Sequence, residues 1–106
     1  MTKILVVISS KEPEKINVAL AFSKNQKAAG HDIRMIFFGP SEASVANDSE
    51  LSGKVLELRD AISPKACVYI AKSMKVEETL KGKVELIPAG KYITESVDQG
   101  YSILSF

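Results

Sequence analysis

Ile4-Leu5-Val6-Val7-Ile8, followed by Ser9-Ser10 and then by Pro13, is the stretch that decides the fold. Four of these five apolar residues are β-branched, and none offers a polar face. Such a run fits a strand covered on both faces, as in a parallel sheet packed between helices. Glu12-Pro13-Glu14 then marks a helix start. Proline is tolerated in the first turn, and acids suit the positive end of the helix dipole. The spacing predicts a helix from Pro13 to Ala29, closed by Gly30.

The same alternation continues outward. Asp32–Phe38 reads as a second strand, ended by Gly39-Pro40, and residues 41–48 as a short helix or loop. A helix capped by Asn47 or Ser49 carries Leu51, Val55, Leu58 and Ile62 on one stripe. Gly53 weakens it and predicts close packing or a local distortion there. Ala66–Ala71 reads as strand three, Ser73–Leu80 as a short helical segment and Val84–Ile87 as strand four. A helix through Ile93 and Val97, closed by Gly100, precedes a last strand over Tyr101–Phe106. Strands alternate with helices five times. This predicts an α/β fold: a three-layer α/β/α sandwich around a five-stranded parallel sheet, flavodoxin-like in class, as a single domain over residues 1–106.

Composition excludes several function classes. Lys+Arg is 14 and Asp+Glu is 13, a net charge of +1. Nucleic-acid affinity rests on clustered cations, and this chain has no such surplus. One Cys and one His exclude a disulfide framework and most structural metal sites, so no metal is expected. There is no phosphate loop and no G-x-S-x-G elbow, so no nucleotide cofactor is expected. No apolar run approaches the length of a membrane span. The run after Lys3 is too short for a signal peptide, and Lys11, Glu12, Glu14 and Lys15 follow at once; a cytoplasmic location is the expectation. The first helix is apolar on two sides, with Ile16, Ala19 and Leu20 on one and Val18 and Phe22 on another. Together with an unshielded terminal strand, this predicts self-association.

In open parallel sheets, ligands bind beyond the carboxyl ends of the strands. The candidate binding residues there are Ser9, Ser10, Lys72, Ser73, Lys75 and Gly90. Lys72 and Lys75 flank Ser73 and can hold an anion. Cys67, the one nucleophilic sulfur, falls early in strand three between Ala66 and Val68, which fits a small core residue better than a reactive thiol. His31 belongs to a turn at the amino end. Glu57, Asp60, Glu77 and Glu78 read as solvated helix faces, and Tyr92 and Tyr101 as packing residues.

Three stretches carry a resemblance. Val68-Tyr69-Ile70-Ala71-Lys72-Ser73-Met74-Lys75, Val84 through Gly90, and Val97-Asp98-Gln99-Gly100-Tyr101 are similar to the C-terminal half of DsrE/DsrF-like proteins. The resemblance implies a single α/β/α domain, assembly as a homo-oligomer (trimer or hexamer), a link to sulfur metabolism and a sulfur-carrier protein as a possible partner. Members carry persulfide sulfur on a Cys. With Ser73-Met74-Lys75 set on the family's Ser-Leu-Lys, that Cys falls at Ile70 and the family's Asn at Lys72. Cys67 then stands three residues early and on the opposite strand face. The expectation is therefore a DsrE-like binding or partner subunit without its own sulfur-transfer cysteine. The alternatives are a sulfur carrier that uses Cys67, and a small-ligand module unrelated to sulfur.

Overall fold

A computed structural model describes residues 1–106. The hydrophobic run at the start forms β1 (Lys3–Ile8), which sits inside a five-stranded parallel sheet of order β4-β3-β2-β1-β5. Its neighbours are β2 (Asp32–Phe37), in register Lys3↔Asp32 to Ile8↔Phe37, and β5 (Ser102–Ser105), from Ile4↔Ser102 to Val7↔Ser105. Leu5, Val6, Val7 and Ile8 are all buried, as a strand covered on both faces requires. Beyond β2 lie β3 (Lys65–Cys67) and β4 (Glu85–Ile87).

The two faces are unequal. On one, Val6, Ile8, Ile33, Met35, Phe37 and Ala66 pack against α1 (Pro13–Ala28), α2 (Ser41–Asn47), α3 (Ser49–Glu57) and α4 (Arg59–Ile62), in a core of 18 buried residues. The other core has 6, Leu5, Val7, Ile36, Cys67, Ala89 and Tyr101, mostly under α7 (Ala89–Asp98). Two short helices, α5 (Val68–Ser73) and α6 (Glu77–Leu80), close the β3–β4 connection. No helix is long and apolar enough to cross a membrane.

Three expectations change. Strand three ends at Cys67, not Ala71, and Val68–Ser73 is helical. The stretch is rich in strand formers, but α5 buries Ala71 in the large core while Ile70 packs on the small one, and that gain overrides propensity. The long helix predicted after residue 49 breaks at Leu58 (φ −89°, ψ −5°) into α3 and α4. Gly53 is exposed, with nothing near the position of an added Cβ, so no close packing explains it. Finally, only half of the apolar surplus on α1 stays free. Phe22 packs on Phe106, with ring centroids 6.1 Å apart, whereas Val18 is 59% exposed.

Candidate functional site

The carboxyl ends of β1, β2 and β3 converge on Ser9, Gly39 and Cys67. Ser9 and Ser10 direct their backbone N–H groups at the Phe106 carbonyl, at 2.9 and 3.3 Å. The Ser9 carbonyl accepts from the Ser41 N–H at 3.0 Å, and the Ser41 hydroxyl donates to the Ile8 carbonyl. These bonds tie the start of α2 down onto the end of β1. Gly39 makes the turn between β2 and α2 at φ +125°, a conformation open to glycine and strained for other residues.

That turn carries Glu42 under the surface. Its side chain is completely buried and forms no ion pair. Oε2 accepts a long hydrogen bond from the Gly39 N–H at 3.5 Å, and Oε1 has no partner at all. Burial raises its pKa from 4.5 to about 7, against the opposing pull of the backbone N–H groups of Gly39 and Cys67. A carboxyl so placed holds its proton near neutral pH, because the charged form has lost its water and gained no cation.

Cys67 is the last residue of β3 and immediately precedes α5. It is 4% exposed and packs within the smaller core. The strand boundary therefore puts the thiol at the end of the sheet where ligands bind, not one turn earlier. The same boundary moves three of the predicted binding residues away. Lys72 and Ser73 occupy the last turn of α5, exposed, and Lys75 stands in the following turn at φ +60°. Lys72 lines a shallow cleft with Val68, Glu77 and Lys81, apart from Ser9 and Ser10. Gly90 is exposed in the first turn of α7, beyond β4. The structure thus groups Ser9, Ser10 and Cys67 with Ser41, at the carboxyl end of β2, and with Glu42, which the sequence did not single out. His31 sits in the turn before β2, where its Nδ1 accepts from the Thr2 N–H at 3.1 Å. No set of three or more His, Cys, Asp or Glu side chains is placed to hold a metal ion.

The whole fold has a solved counterpart. A conserved protein of unknown function from Bacteroides thetaiotaomicron superposes with a TM-score of 0.83 at 24% identity, over 98% of this chain and 95% of the other. That likeness extends to the fold alone. No protein-family profile matches the sequence, and no curated protein does.

Proposed function

We propose that this chain is an oligomeric DsrE/DsrF-like protein of sulfur metabolism, with Cys67 as its sulfur-bearing residue. The observation that carries the proposal is the end of β3 at Cys67, which brings the only thiol of the chain to the ligand-binding edge of the sheet. The buried carboxyl of Glu42, with one oxygen unpartnered beside the same backbone, is a second departure from ordinary core chemistry. In the transfer step the Cys67 thiolate attacks the outer sulfur of a donor persulfide. One S–S bond forms, the donor's S–S bond breaks, and the donor leaves as a thiolate that takes up a proton. No net oxidation occurs.

A second reading is favoured by the burial of Cys67. A thiol only 4% exposed suits a partner subunit that keeps the fold and leaves sulfur chemistry to another chain. Polysulfide treatment followed by intact-mass measurement separates the two. The carrier reading expects a gain of one sulfur atom that Cys67→Ser abolishes and dithiothreitol reverses. An unchanged mass, with a native thiol inert to maleimide, overturns the carrier reading and leaves a subunit without sulfur chemistry of its own.

Self-association belongs to the same proposal. What supports it is β5, an edge strand whose four residues are all exposed, uncharged and free of proline. Natural edges usually carry such protection against pairing with another chain. Ile103 and Leu104 on that edge and Val97 on α7 are exposed apolar residues.

A further inference from the structure

A second cleft lies at the opposite, amino end of the sheet, where its rim runs between α7 and the ends of α1 and α4. Its volume is about 510 Å³, and Lys27, Arg34, Ser63, Lys65 and Tyr92 are among its walls. That size suits a small organic molecule.

Arg34 is its distinguishing feature. The register places it opposite Leu5, so its side chain projects from β2 on the α7 face. One terminal nitrogen donates to the Ser96 Oγ at 3.0 Å and the other to the Gln99 Oε1 at 2.7 Å. The guanidinium carbon lies 4.2 Å from the Tyr101 ring centroid and 5.7 Å from that of Tyr92. Two hydrogen bonds and two rings therefore fix the plane of a half-buried cation. Yet Arg34 has no carboxylate partner, and most of its five N–H donors are unused. None of the acids around it is in contact with the guanidinium. Asp32 accepts from the Tyr101 hydroxyl at 2.7 Å, Glu85 pairs with Lys65 at 2.7 Å, and Glu95 with Lys91 at 3.9 Å. The Tyr92 hydroxyl has no side-chain hydrogen-bond partner, and burial pushes its pKa up to about 12, so it stays a donor.

An oriented guanidinium that no carboxylate touches, beside a free phenol donor, is an arrangement that receives an anion. We propose that this cleft binds a small organic carboxylate, whose two oxygens take the free N–H groups of Arg34 and the Tyr92 hydroxyl. The guanidinium fork matches a planar carboxylate. The negative charge that Asp32 and Glu95 keep in the lining opposes a doubly charged phosphate more than a singly charged carboxylate. Ala61 and Ile62 in the lining leave room for an apolar body. The cleft is independent of Cys67, so this site stands or falls apart from the sulfur proposal.

The test is an NMR titration of the full chain, following backbone amides and the Arg34 side-chain Nε–Hε, in a buffer free of carboxylate and phosphate. The probes are benzoate, phenyl phosphate and benzamide. Benzoate is expected to shift Arg34, Tyr92 and Ser96 saturably, phenyl phosphate to bind more weakly and neutral benzamide not at all. Arg34→Gln should weaken benzoate at least about tenfold, the worth of one charge-assisted hydrogen bond. Tyr92→Phe should weaken it several-fold while preserving the spectrum of the folded chain. The proposal is overturned if benzoate gives no saturable shift at these residues, or if phenyl phosphate or benzamide binds as well. Unchanged affinity in Tyr92→Phe also overturns it, even if Arg34→Gln fails to fold.

Discussion

Replacing Glu42 by Gln should abolish the pH dependence of stability that one buried proton creates. The carboxyl has no cation beside it and one oxygen without a partner. Below pH 4.5 it is protonated in both the folded and the unfolded chain. As pH rises from 4.5 to about 7, the unfolded chain releases that proton and the fold retains it. The fold then binds more protons than the unfolded chain, so stability falls over this window and the loss is complete above it. At 1.36 kcal/mol per pH unit, the displacement from 4.5 to about 7 corresponds to about 3 kcal/mol. That is a large share of the stability of a small domain. Glu42→Gln preserves the shape and removes the ionisation. Urea unfolding followed by circular dichroism at pH 5 and pH 8 measures both proteins. Because a little of the loss is already present at pH 5, the variant should gain about 2.5 kcal/mol on wild type between the two pH values, a relative midpoint shift of about 1–2 M. Taking the difference cancels the contributions of His31 and the surface carboxylates. A constant difference across pH would refute the reasoning: the carboxyl would then be ionised in the fold and satisfied by a group other than those around it.

Three further outcomes test other parts of the structure. Gly53→Ala, on the exposed face of α3 with open space at the Cβ position, should raise stability by about 0.5–1 kcal/mol in the same urea assay. Asp48 caps α3 by accepting from the N–H groups of Glu50 and Leu51 at 3.0 and 3.2 Å, and Asp48→Ala should cost about 1 kcal/mol. Ile103→Lys places a charge on the bare edge of β5. It should lower the oligomeric state measured by sedimentation without unfolding the chain; an unchanged assembly would move the interface elsewhere.

Much of the architecture was legible because few residues had alternatives. The short β-branched run from Ile4 to Ile8 fits a doubly covered strand, and Pro13 and Gly30 bracket α1 by backbone chemistry alone. Strand three was not legible in the same way. From Cys67 to Ala71 local propensity favours a strand, and only the packing of Ala71 and Ile70 into two different cores turns it into a helix. That single boundary decides the site. A strand prolonged to Ala71 puts Lys72 and Ser73 at the sheet's edge and Cys67 inside it; a strand ending at Cys67 does the reverse. Ser9 and Ser10 were correctly placed at the carboxyl end of β1 because the end of that strand was clear in the sequence. Glu42 was missed because an acid in the first turn after Gly-Pro reads as a solvated partner of the helix dipole. Nothing local shows that the Gly39 turn folds it inward. Arg34 was passed over for a related reason: it alternates with apolar residues in β2 as a solvent-facing charge would, and its ring partners lie more than fifty residues away.

The sheet order also sets a timetable for the nascent chain. β1, β2, β3 and β4 lie side by side in the order they are made, so each strand has its neighbour as it emerges. The outer side of β1 waits for β5, nearly a hundred residues later. Until then the most apolar strand of the protein, Ile4 to Ile8, presents a bare edge, and the Ser9 and Ser10 amides lack the Phe106 carbonyl that later receives them. A ribosome-bound or prematurely ended chain is therefore a sheet with its most apolar strand exposed as a rim, a species prone to pair with its own kind. The five residues from Ser102 to Phe106 act as the closing seam, and the length of chain before them makes that closure the slow, long-range step of folding.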